Sequence, residues 1–202
     1  AGKGKTFLDF AVESENEFNS DYPAIRGIYI QMSDLTISVK NTIESYTSFP
    51  AVIDAFGEID LSDVDIVLQK NSYVFVCNTA VRIFPSDDTG LAEKIAMRRC
   101  SFSGDGIFGR FFGTTGWWNN TYPVIKCQLN QCRFEAFEGR AIIEAGDGIE
   151  YSIRECEFME AAAGDTTITV TESPVGLTVE NCVFLKKEGY PVAIIENLSG
   201  PV

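Results

Sequence analysis

Apolar and polar residues alternate along most of this chain in short runs, and one arrangement recurs. Apolar residues stand at the first, third, sixth and eighth positions of a unit, with mostly polar residues between them. The unit fits Ile30, Met32, Leu35 and Ile37; Ile59, Leu61, Val64 and Ile66; and Ile95, Met97, Cys100 and Phe102. It fits again at Cys127, Leu129, Cys132 and Phe134; at Tyr151, Ile153, Cys156 and Phe158; and at Leu177, Val179, Cys182 and Phe184. The copies start 29, 36, 32, 24 and 26 residues apart, which is uneven for a helical repeat but ordinary for coils joined by turns of variable length. Within a copy, period-two alternation on either side of a two-residue step describes two short strands meeting at a corner, both turning apolar side chains inward. Third strands are expected at 51–56, 73–77, 107–112, 141–145, 166–171 and 192–196, most of them rich in β-formers. Three strands per turn, repeated, make a solenoid in which each turn buries its apolar face only against its neighbours.

The units ending Asn181-Cys182-Val183-Phe184, Glu155-Cys156-Glu157-Phe158 and Gln131-Cys132-Arg133-Phe134 resemble coils of right-handed parallel β-helices, the pectin-lyase-like superfamily. Its members include polysaccharide lyases, glycoside hydrolases, phage tailspikes and bacterial adhesins, and the resemblance spans roughly residues 25 to 198. It implies an all-β fold: a single right-handed parallel β-helix of about six coils. In such folds the corner residue before the inward position often adopts a left-handed conformation, which Asn and Asp tolerate best. Asp34, Asp63 and Asn181 match that preference, whereas Arg99, Gln131 and Glu155 depart from it, so no continuous asparagine ladder is expected.

The same register places Cys100, Cys132, Cys156 and Cys182 at one equivalent position in four successive copies. In-register parallel neighbours hold their Cβ atoms near the strand spacing of about 4.8 Å, beyond the roughly 3.8 Å of a relaxed disulfide. Free buried thiols acting as small core fillers are the first reading; a thiolate metal site or redox pair is the second. No Cys-x-x-Cys motif exists, and no metal or other cofactor is assigned.

The first segment reads differently. Phe7, Phe10, Ala11, Ser14 and Phe18 fall on one helical face opposite Asp9, Glu13 and Glu17, so residues 6–18 suggest an amphipathic helix laid across an open sheet edge. The expected organisation is an N-terminal cap at 1–24 carrying this helix, followed by the β-helix at 25–202. Residues 197–202 offer no comparable cap, which suggests that the native chain continues or that another subunit covers that end.

Composition narrows the chemistry. The 202 residues hold 16 Lys and Arg against 29 Asp and Glu, a net charge of -13 that repels a phosphate backbone and an anionic membrane face. Nucleic acid is therefore not an expected partner, and no apolar run is long enough to suggest a membrane span. The absence of histidine removes Ser-His and Cys-His nucleophiles and the commonest catalytic zinc sites. It also removes the Gly-His-Gly motif that resemblance to pectin-degrading polygalacturonases would require.

Two insertions, residues 85–94 and 114–123, each precede the first strand of a copy, so they are expected to project from one lateral face. One carries Asp87 and Asp88; the other carries Trp117, Trp118 and Tyr122, preceded by Arg110. Paired tryptophans offer flat surfaces for sugar rings, while Asp and Arg can bond hydroxyls. Fold-back onto the solenoid or a subunit interface would use the same aromatics. Glycoside hydrolysis would need Asp87 or Asp88 to work with a carboxylate on another coil, such as Glu144 or Asp147, and Asp-Asp-Thr-Gly reads first as an ordinary turn.

No catalytic residue is therefore assigned, and the enzyme question leans negative. The expected function is a non-catalytic structural or receptor-binding solenoid of a virion spike or fibre, or of a surface adhesin. Its expected partners are other subunits and a glycan. The alternative is a polysaccharide-cleaving enzyme of the same fold.

Overall fold

The computed structural model describes residues 6–12, 25–41, 47–49, 52–69, 75–77, 81–83, 94–104, 107–108, 112–114, 125–135, 143–145, 149–161, 168–170, 176–186 and 195–197. Among these, every strand pairing is parallel, and the strands form a sixteen-stranded sheet and a separate three-stranded sheet. Parallel neighbours need crossovers of a dozen or more residues, and the intervals between the copies supply them. The result is an all-β, parallel architecture consistent with a β-helix or solenoid.

The six copies lie in register. Ile30 pairs with Ile59, Ile59 with Ile95, Ile95 with Cys127, Cys127 with Tyr151 and Tyr151 with Leu177. Past the corner, Ile37, Ile66, Phe102, Phe134, Phe158 and Phe184 form a second line of partners. Together with the third and sixth positions of each copy, these inward positions make up most of the buried core. The four phenylalanines stack with centroids 4.8–4.9 Å apart and planes within 5° of parallel. Parallel planes at that separation are offset-stacked, an arrangement worth about 0.5–1.5 kcal/mol per pair beyond the burial itself.

All six corner residues adopt the left-handed conformation: Asp34, Asp63, Arg99, Gln131, Glu155 and Asn181 have φ between 51° and 57°. Side-chain preference is overridden because the backbone ladder runs through the corner. The amides of Arg99, Gln131 and Glu155 donate to Asn130, Arg154 and Glu180 carbonyls at 3.0 Å. The long side chains also pair between rungs, Arg99 gripping the Asp63 carboxylate at 2.9 and 2.6 Å and Gln131 donating to Glu155 at 2.7 Å. Hydrogen bonding to Asp63 raises the Arg99 pKa further above its ordinary value.

Two expectations need correction. Residues 6–12 form a strand, Thr6–Val12, in place of the start of the capping helix, and it pairs from Thr6↔Leu35 to Val12↔Asn41. Leu8 and Phe10 turn toward the core while Phe7 is 67% exposed, which is strand alternation. The physical reason is the edge of the strand Ile25–Asn41, whose free backbone donors and acceptors accept another strand. Residues 13–18, the remainder of the expected helix, lie outside the described residues.

The third strands also divide differently. Ile25, Ile53, Val81, Phe112, Ile143, Ile168 and Ile195 stand in line within the large sheet, whereas Thr47–Phe49, Phe75–Cys77 and Ile107–Phe108 form the small one. The expected strand at 107–112 therefore spans two ladders, the one at 73–77 belongs to the small sheet alone, and Val81–Ile83 in the large sheet is an addition to the expected set.

Candidate functional site

The strands Lys94–Arg98, Ile125–Asn130 and Ile149–Arg154 alternate inward and outward. Their apolar positions fill the core, which leaves Ala96, Arg98, Gln128, Asn130, Ser152 and Arg154 on the outer face. These six residues, with Met97 and Leu129 beneath them, line a groove of about 510 Å³. The groove exists because short side chains alternate with long ones: Ala96 sits in register between Asp60 and Gln128 and is only 4% exposed. Arg98 reaches Asp60 through Nη2 at 2.9 Å. Arg154 uses Nε toward Ser152 Oγ at 3.2 Å and Glu180 at 3.4 Å. A guanidinium carries five donors, more than these contacts engage, and Gln128 and Asn130 present exposed amides beside them. Such a surface can bond hydroxyl and carboxylate groups on a ligand lying along the sheet.

The sequence-based candidates Asp87, Asp88, Arg110, Trp117, Trp118 and Tyr122 lie outside the described residues. The points where their segments leave and rejoin the sheet are described. Ile83 pairs with Thr114 where the two insertions begin, and Lys94 pairs with Lys126 where the chain returns from them. Both insertions therefore start and end at register-matched positions on adjacent strands. Two residues beyond the return points, about 7 Å along the strands, stand Ala96 and Gln128 at the start of the groove. Sequence reasoning missed the groove residues because it followed the inward positions. The signal lay in the outward residues of three neighbouring copies.

The acidic residues of the neighbouring rung are engaged structurally. Asp60, Asp63 and Asp65 bind Arg98, Arg99 and Ser101 on the next rung. Farther along, Arg133 joins Glu157 at 2.9 Å and also contacts Glu135. Among the described residues, no three His, Cys, Asp or Glu side chains are grouped to hold a metal ion.

The four equivalent thiols stack inside as free cysteines, Cys100, Cys132 and Cys156 buried and Cys182 half-buried. Each Sγ donates to the carbonyl two residues before it, at 3.3–3.5 Å. Hydrogen bonding to Cys100 and Cys156, with burial, pushes the Cys132 thiol well above the ordinary range. Its bonds in turn lower Cys100 and Cys156. Burial raises Cys182, and raises Cys127, which stands in the other inward row, far more.

No family model matches the chain, and neither does any curated protein or solved structure. Among the described residues no helix is long and apolar enough to cross a membrane.

Proposed function

We propose that the chain is a right-handed parallel β-helix of about six coils, of the pectin-lyase-like kind. In this reading it serves as a non-catalytic structural or receptor-binding part of a larger extracellular assembly, a virion spike or fibre or a surface adhesin. Its lateral face contacts a glycan. The observation that carries this reading is the alignment of both insertion endpoints, through Ile83↔Thr114 and Lys94↔Lys126, beside a groove lined by two arginines and two exposed amides. Aromatic side chains from the second insertion would supply the flat surface, and Arg98, Gln128, Asn130 and Arg154 the hydroxyl partners.

The reading of an assembly component draws on the last described rung. Inward Leu177, Val179, Cys182 and Phe184 are only partly buried there, and outward Val183 and Leu185 are 48% and 50% exposed. A neighbouring subunit or further chain of the same protein would cover such a rung.

A panel of immobilised oligosaccharides tests the proposal. Retention without new reducing or unsaturated ends is expected. The Trp117→Ala/Trp118→Ala and Gln128→Ala/Asn130→Ala pairs should each weaken retention at least tenfold. Absence of retention, or retention indifferent to both pairs, would overturn glycan contact; release of new ends at enzymatic rates would favour polysaccharide cleavage.

A further inference from the structure

The cysteine stack has a geometry that one class of ligand matches. Cys156 and Cys182 occupy equivalent positions on paired strands, since Glu157↔Val183 and Phe158↔Phe184 are in register immediately after them. Both sulfurs hold the same local contact, to the Arg154 and Glu180 carbonyls at 3.3 Å, so they point the same way. Two identically oriented side chains on adjacent parallel strands are separated by the rung repeat, which the Phe158 and Phe184 rings two residues on mark as 4.8 Å. A disulfide needs its sulfurs about 2.05 Å apart, so this spacing rejects it. Two metal–sulfur bonds of about 2.3 Å laid end to end span about 4.6 Å, so a single ion held in a line between the sulfurs fits.

We propose that Cys156 and Cys182 form a two-coordinate site for a soft monovalent cation of the Cu(I) or Ag(I) class. Thiolate sulfur selects such ions over hard cations. Among the described residues no three His, Cys, Asp or Glu side chains are grouped to hold a metal ion, so the set a tetrahedral zinc site needs is missing there, while linear coordination takes only two sulfurs and leaves Cys132, on the other side of Cys156, outside the site. Access singles out this pair: Cys100, Cys132 and Cys156 are at most 1% exposed, whereas Cys182 lies half-buried on the last described rung. Binding is an exchange without redox change: each thiol releases its proton to solvent, two metal–sulfur bonds form, and the site carries one net negative charge. The ion joins two rungs that hydrogen bonds and ring stacking already connect. This site is independent of the glycan reading, since it lies inside the solenoid and the groove lies on its outer face.

The test is anaerobic titration of the full chain with Cu(I) supplied as a coloured chelator complex, whose bleaching reports transfer. One tightly held equivalent is expected, lost at least tenfold in Cys182→Ser and in Cys156→Ser and kept in Cys127→Ser and Cys77→Ser. Should Cys156→Ser fail to fold, Cys182→Ser decides the matter alone, because its half-exposed rung tolerates the change. X-ray absorption of the Cu(I)-loaded chain should show two sulfur neighbours. Undiminished uptake by Cys182→Ser, no uptake by the unaltered chain, or a first shell of three sulfurs or of nitrogen and oxygen would overturn the proposal.

Discussion

The copies starting at Ile30 and Ile59 and those starting at Ile95, Cys127 and Tyr151 fill the same cross-section by different means. In the first two, the inward pair past the corner is Leu35 with Ile37 and Val64 with Ile66, two side chains of middling size. In the next three it is a cysteine and a phenylalanine, Cys100 with Phe102, Cys132 with Phe134 and Cys156 with Phe158. Both solutions leave every one of these side chains buried. The interior of a stacked repeat has a set area per rung, so enlarging one inward side chain requires shrinking its partner. The small member need not be cysteine for packing alone, but a thiol fills the space without adding an unsatisfied strong donor.

Exchanging one solution for the other tests that comparison most severely. Phe134→Ile alone leaves a void between Phe102 and Phe158 and should cost roughly 1–3 kcal/mol. Cys132→Val alone overpacks the same rung and should cost about 1–3 kcal/mol. The double variant imports the Val64 and Ile66 pairing, and it should be destabilised by less than the sum, with a favourable coupling of about 0.5–3 kcal/mol. Urea unfolding of the four chains measures this directly. Strict additivity would mean that the two inward positions do not share volume.

The thiols also make the two regions respond differently to pH. Burial raises the Cys127 pKa above its unfolded value, so the folded chain holds that proton where the unfolded chain releases it. Stability from this group is complete below the unfolded pKa of about 8.5 and is lost as pH rises beyond it. The slope approaches about 1.4 kcal/mol per pH unit for one such thiol. Cys127→Ala should flatten the decline in urea midpoint between neutral and alkaline pH, whereas a substitution confined to the aliphatic copies, such as Ile59→Val, should shift the midpoint and leave the slope alone. An unchanged slope in Cys127→Ala would assign the alkaline loss elsewhere.

The register, the inward rows and the cysteine stack were legible because each depends on residue type at a repeating offset. The corners were legible by position even where Arg99, Gln131 and Glu155 run against preference, since the two-residue step marks the turn whatever occupies it. The Thr6–Val12 strand was not legible. Phe7, Phe10 and Ala11 make a helical stripe while Leu8 and Phe10 make a strand face, and the strand forms because a distant edge, residues 35–41, offers hydrogen bonds that no local pattern records. The groove was equally hidden, since it arises from Ala96 and Ser152 meeting Arg98 and Arg154 across strands far apart in sequence. The tryptophan and aspartate candidates lie outside the described residues, so only their points of attachment enter the geometry.

The smallest expected effect concerns the corners, which share one backbone conformation and differ in side chain. A residue other than Gly, Asn or Asp in the left-handed region carries a cost of roughly 1–2 kcal/mol, which Asn and Asp reduce through local hydrogen bonding. Gln131 carries that cost at φ 55°, and Asn181 meets the same geometry at φ 54° with the favoured residue. Gln131→Asn should therefore raise stability, but its shorter side chain gives up the 2.7 Å bond to Glu155. That contact is exposed, and an exposed pair is worth about 0.2–1 kcal/mol, so the net gain should be a few tenths to about 1 kcal/mol. Asn181→Gln should lower stability by a similar amount. A gain for Gln131→Asn together with a loss for Asn181→Gln in urea unfolding would locate the difference in the backbone; a loss for Gln131→Asn would mean that pairing between rungs, and not left-handed tolerance, decides which residue stands at a corner.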